Sequence, residues 1–294
     1  MKSDADSLMA SEKMLVTSID KTYDLYFLLM SLVVEMAQYA EQRQEAAKNK
    51  KLPTYEDLNP NRKFVDNAVI RLLAQSDSVN DYLASRKLSW AKYPELVKAL
   101  YTQLEQSDYF KKYMTSQESS FREDLALITE FYTRELEESE ILESALDEMS
   151  ILWNDDLGFA LIMVTRTLSN MRASHTDVKV LPKFKSIEDL DFARELFAKA
   201  AVNFDNYQEE IEKYTRNWDV ERIAFMDNLI MATAVAELVT FPSIPVKVTL
   251  DEYIEIAKYY STHGSSTFIN GILDKIVASF TEEGKINKSG RGLI

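Results

Sequence analysis

The chain contains no cysteine. That excludes disulfides, thiolate metal sites and cysteine nucleophiles, and it suits a reducing compartment, so a cytoplasmic location is expected. Glycine is scarce as well, with six in 294 residues, and only Gly158 precedes residue 264. Tight hairpins draw on glycine for positive φ, so a chain this poor in it is not built from repeated hairpins. Long runs of Leu, Ala, Glu and Lys fill the sequence instead, and an all-α fold is expected. Histidine is limited to His175 and His263. Neither follows a glutamate by three residues, so the Glu-x-x-His motif of metal-binding helical bundles is missing, although Glu137, Asp147 and Glu148 lie in an acidic run. Phosphate-cradling glycine loops and nucleophile elbows are also missing, so no enzyme and no cofactor is expected.

Long apolar runs are lacking too. The longest in the first helix, Leu25 to Val34, stops at Glu35, half the ~20 residues a membrane span requires. The start, Met1-Lys-Ser-Asp, has no signal-peptide core. Positive charge is in deficit: Lys+Arg 34 against Asp+Glu 48 gives a net charge of -14. That field repels a polyanion, so an RNA site must be a local patch or be completed by a basic partner.

What is present is a chain that is 46% hydrophobic, enough for a substantial core. Leu15, Ile19, Tyr23, Tyr26, Leu29, Val33 and Ala37 recur at helical spacing and predict a first helix over 8–47. "NKKLPTYEDLNPN" reads as a loop, and further helices are predicted over 63–84, 94–107, 118–149 and 155–170. "RASHTDVKVLPKFK", residues 172–185, loses the periodicity and reads as a connector. An N-terminal helical region over 1–180 and a C-terminal helical domain over 187–294 are therefore expected.

Beyond the connector, Ser186 with Asp189 three residues on opens a predicted helix, and another is expected over 204–216. A long apolar helix is predicted from Trp218-Asp219, with Ile223, Met226, Leu229, Ile230, Thr233, Ala234 and Leu238 on its buried side. Thr249 and Glu252 have capping-box spacing and predict a helix over 250–260, followed by the loop "STHGSS". The tail "GKINKSGRGLI" reads as flexible and locally basic. In "FINGILDKI" the hairpin signal Asn270-Gly271 lies inside the helical pattern of Phe268, Ile269, Ile272, Leu273 and Ile276. The helix is expected to win, with the pair at its start and Gly271 admitting a neighbouring backbone near the Pro245 turn.

The run "PSIPVKVTLDEYIEIAKYYSTHGSSTFINGILDKI" resembles the C-terminal signature of the transcription antitermination factor NusB family. Glu237-Leu238, the turn Pro245 to Val248, Asp251-Glu252 through Ala257-Lys258, Ser265-Ser266, and Phe268 to Asp274 follow the family's order and spacing. The likeness extends more weakly upstream and covers roughly residues 187–294. It implies two packed helical subdomains and a non-enzymatic role: binding boxA-type nascent ribosomal RNA with a small-subunit ribosomal protein, NusE, within the RNA polymerase antitermination complex. It also implies that Phe268, Gly264 and Ser265 lie at the RNA and that Asp227 faces the ribosomal protein. On the residues alone, Phe268 is equally a core anchor and Asp227 a solvated acid.

Two features depart from the family pattern. An arginine-rich stretch before a Leu-Tyr pair is replaced by Met1-Lys-Ser-Asp-Ala-Asp, and Met231-Ala232-Thr233 stands where the family has Leu-Arg-x-Ala. The alternative reading is a helical protein–protein adaptor of the same fold that has lost RNA binding.

Overall fold

A computed structural model describes residues 2–215 and 224–293. Among them are fourteen α-helices and no strand, the all-α architecture expected from the scarcity of glycine. The first helix, α1 (Lys2–Lys48), is longer than its periodicity predicted. Two compact units emerge from the contacts: residues 15–183, and residues 184–294 together with 1–14.

In the first unit, Leu25 to Ala40 of α1 supply the largest contribution to the core. Serine and asparagine caps cut the predicted long helices into shorter ones. The segment expected as one helix over 63–84 is α3 (Ala68–Ala74) and α4 (Asp77–Arg86). Asn67 Oδ1 accepts from the Val69 and Ile70 amides, and Ser76 Oγ from the Val79 amide, each starting a new helix. The helix expected over 94–107 is α5 (Pro94–Gln106), and Ser107 caps a further helix, α6 (Asp108–Thr115), that the periodicity did not predict. Ser139 separates α7 (Phe121–Arg134) from α8 (Glu140–Met149). Inside the expected loop, Thr54 and Asp57 form a capping box that starts the one-turn helix α2 (Tyr55–Leu58). The unit continues through α9 (Leu157–Asn170), and residues 171–183 contain no helix.

The second unit comprises α10 (Ile187–Val202), α11 (Phe204–Thr215), α12 (Phe225–Thr240), α13 (Val246–Tyr260) and α14 (Ser265–Glu282). The Ser186 amide donates to Asp189 at 3.2 Å and opens α10 as expected. The helix start predicted at Trp218-Asp219, and the burial expected of Ile223, lie outside the described residues. Within α12, Ile230, Ala234 and Leu238 are buried as expected, whereas Leu229 is exposed. Ala232, Ala236 and Val235 are buried too, so α12 is enclosed on most sides.

Three local expectations are corrected. The predicted cap at Thr249 fails because α13 starts earlier, at Val246, with Pro245 as its N-cap residue. Thr249 then lies inside the helix, fully buried, with no partner for its hydroxyl. The tail does not fray: Ile286 joins the core, the Ser289 amide donates to the Pro242 carbonyl at 2.9 Å, and Lys288 Nζ donates to the Phe241 carbonyl at 3.0 Å. Gly292 permits this docking, since a Cβ there would meet the Pro242 carbonyl oxygen at 2.0 Å.

Gly271 behaves in the opposite way. It lies in the second turn of α14, exposed, and a Cβ added there would meet nothing within 4 Å. No backbone approaches it, and the expected packing against the Pro245 turn does not exist. Gly271→Ala is therefore expected to raise stability by about 0.5–1 kcal/mol, read as a higher melting temperature. An unchanged or lower value would show that the glycine carries a structural role within the chain.

Candidate nucleic-acid interface

The four residues singled out from the sequence gather where the end of α13 meets the starts of α12 and α14. Gly264 caps α14 at φ +90°, a left-handed conformation that glycine adopts without strain. That turn directs Ser265 inward and leaves Gly264 exposed.

Asp227, in the first turn of α12, is 5% exposed. Its Oδ1 accepts from Ser261 Oγ, and its Oδ2 accepts from Ser265 Oγ at 3.1 Å. Each hydroxyl carries one hydrogen, so with both directed at the carboxylate, Thr262 Oγ1 is left to donate to Ser265 Oγ at 2.8 Å. The Ser265 amide adds a bond to the Thr262 carbonyl at 3.0 Å. These bonds tie the start of α12, the end of α13 and the start of α14 at one carboxylate. Ser261 escaped notice in the sequence, although its spacing of four from Ser265 in "STHGSS" was a visible signal.

Phe268 lies on the first turn of α14, its amide donating to the Gly264 carbonyl at 3.2 Å. Its ring is half-buried and packs against the core of the second unit, beside Ile269 and Ile272. The same helix ends carry exposed aromatics: Phe225 is 71% exposed and Tyr259 82% exposed, and Tyr260 is exposed as well. Deeper in the unit, Tyr253 donates to Glu237 Oε2 at 3.1 Å, with both residues buried. Burial and the Glu237 carboxylate push the Tyr253 hydroxyl well above its ordinary pKa. Glu237, the acid of the Glu-Leu element, is thus a packed hydrogen-bond acceptor.

The sequence pattern of the NusB family matches residues 162–278, beginning inside α9 and ending in α14. A transcription antitermination protein NusB from Salinibacter ruber is 42% identical over 123 residues, which is 42% of this chain and 76% of that protein. The chain belongs to the NusB family. Two further NusB antitermination proteins are similar: one from Chloroherpeton thalassium, 39% identical over 108 residues (37% of this chain, 51% of that protein), and one from Pseudothermotoga lettingae, 42% identical over 83 residues (28% and 59%). No solved structure matches the chain significantly. Asp227, Ser261, Gly264, Ser265 and Phe268 all fall within the family-matched segment, while α1 through α8 precede it. No described helix is long and apolar enough to cross a membrane.

Proposed function

We propose that the protein is an antitermination factor that binds a boxA-type element of nascent ribosomal RNA jointly with the small-subunit ribosomal protein NusE, within the RNA polymerase antitermination complex. The observation that carries this reading is the three-helix junction at Asp227, which holds the Gly264 loop and the start of α14 with Phe268, on helices whose ends also carry the exposed Phe225 and Tyr259. Exposed aromatic faces can stack the unpaired bases of single-stranded RNA, while the positive charge that tracks its backbone must come from elsewhere. The net charge of -14 makes phosphate neutralisation the partner's share. Phe268, Gly264 and Ser265 are assigned to the RNA side. Asp227 is assigned to the ribosomal-protein side, acting through the helix ends it ties rather than through an exposed carboxylate.

Fluorescence anisotropy with boxA RNA tests this. Weak binding by the protein alone, tightened at least tenfold by NusE, is expected; Phe268→Ala should weaken the ternary complex by about 1–3 kcal/mol, the worth of one stacked base. No binding with RNA and NusE together at low salt would overturn the proposal. The acidic charge also favours a second reading, an adaptor without RNA affinity. Recovery of a stable protein partner from nuclease-treated lysate would select it.

A further inference from the structure

We propose that a cleft between α1 and the Trp90–Pro94 turn binds an organic cation, an alkylammonium or guanidinium group, against Glu35. The cleft holds about 200 Å³ and is lined by Glu35, Gln38, Tyr39, Gln42, Trp90 and Pro94, among others. It lies wholly within the unit formed by residues 15–183 and outside the family-matched segment, so it does not depend on the RNA-binding reading.

Four of its residues follow a single rule of spacing. Glu35, Gln38, Tyr39 and Gln42 stand at i, i+3, i+4 and i+7 on α1, one face of the helix. Glu35 is the single charged residue between Leu25 and Ala40, in the middle of the stretch that supplies the core. Its side chain is half-buried and makes no hydrogen bond or ion pair with any described residue. Other charges of α1 are treated differently: Asp24 is paired with Arg86 and Lys21, and Arg43 with Glu105. Partial shielding from water without a partner disfavours the charged carboxylate, and burial pushes the Glu35 carboxyl above its ordinary pKa. A bound cation would supply the missing countercharge.

The remaining walls suit that ligand. The Gln38 and Gln42 amides offer carbonyl oxygens to N–H donors, and a tyrosine face attracts a cation. The two aromatic walls are fixed in advance: the Trp90 indole N–H donates to the Leu28 carbonyl at 2.9 Å, and the Tyr39 ring packs edge-on against Tyr101 at 5.6 Å. No basic side chain lines the cleft, which argues against an anion. Its volume falls below the roughly 300 Å³ at which drug-sized ligand pockets begin, so it fits one side-chain-sized group rather than a nucleotide. The acidic net charge raises the local concentration of cations.

The test is an NMR titration of the full chain, following the Trp90 indole signal. N-acetyl-arginine methylamide and spermidine serve as probes, and N-acetyl-glutamine methylamide as the uncharged control. A saturable shift is expected with the cations and not with the control. Glu35→Gln should raise the dissociation constant roughly tenfold or more without lowering the melting temperature, because it keeps the shape and removes an unpaired charge. The tighter of the two cations distinguishes a basic protein side chain from a free polyamine, and either supports the site. No saturable shift up to about 20 mM of either cation, a range covering weak millimolar binding, would overturn the proposal. So would an equal response to the control, or unchanged affinity in Glu35→Gln.

Discussion

Asp24→Ala is expected to destabilise the unit formed by residues 15–183 by about 2–3 kcal/mol, the scale for losing hydrogen bonds to a buried carboxylate whose cationic partners stay partly open to water. Asp24 is fully buried on α1. Arg86 grips it with two bonds, Nε to Oδ1 at 2.7 Å and Nη2 to Oδ2 at 2.8 Å, the forked geometry that makes arginine–carboxylate pairs strong. The Tyr82 hydroxyl donates to Oδ1 at 2.9 Å, and Lys21 approaches Oδ2 at 3.2 Å. Alanine leaves these donors without their acceptor and opens a void beside the stacked rings of Phe27 and Tyr82, 3.9 Å apart. Urea unfolding monitored at Trp90 and Trp153 would measure the loss; a change below about 1 kcal/mol would mean the cluster is no stronger than an exposed pair.

The same cluster gives a pH dependence of known sign. Burial alone would raise the Asp24 carboxyl, but hydrogen bonds from Arg86, Tyr82 and Lys21 outweigh it and hold the group below the usual carboxylate range. Because the folded value lies below the unfolded one, this stabilisation is complete above the unfolded value of about 4. It is lost as pH falls through the lower, folded value. Between neutral pH and about 3, wild type should therefore lose more stability than Asp24→Ala.

The double substitution Ser261→Ala with Ser265→Ala should cost about 3 kcal/mol or more in the second unit, since it strands a buried carboxylate. Both hydroxyl donors to Asp227 would be gone, and the residue is almost wholly enclosed. Adding Asp227→Ala to that pair is expected to recover part of the loss, because an apolar group needs no donor where a carboxylate does. The recovery separates a hydrogen-bonding role from simple packing. If the triple variant were less stable than the double, Asp227 would be packed for its volume, and the three-helix junction would not rest on its charge. In the boxA titration the double variant should also bind more weakly, because the loop carrying Gly264 would no longer be fixed to α12.

The sequence by itself determined the fold class, the helical course of the chain and the family signature. Those are local properties: glycine scarcity forbids repeated hairpins, periodic apolar residues draw helices, and Phe268 to Asp274 follows the family's pattern. Asn270-Gly271 yielded to helical periodicity for the same reason. Helix ends were less legible: Ser76 and Ser139 each cap a new helix inside what reads as one apolar stripe, because a cap changes one amide bond and leaves the stripe intact. Only the tertiary structure decided that Asp227 turns inward to Ser261 and Ser265, that Gly271 faces open space and Gly292 a carbonyl, and that Glu35 stands without the partner that Asp24 has. Burial, close approach and charge pairing depend on which distant residues meet, and no spacing along the chain encodes that.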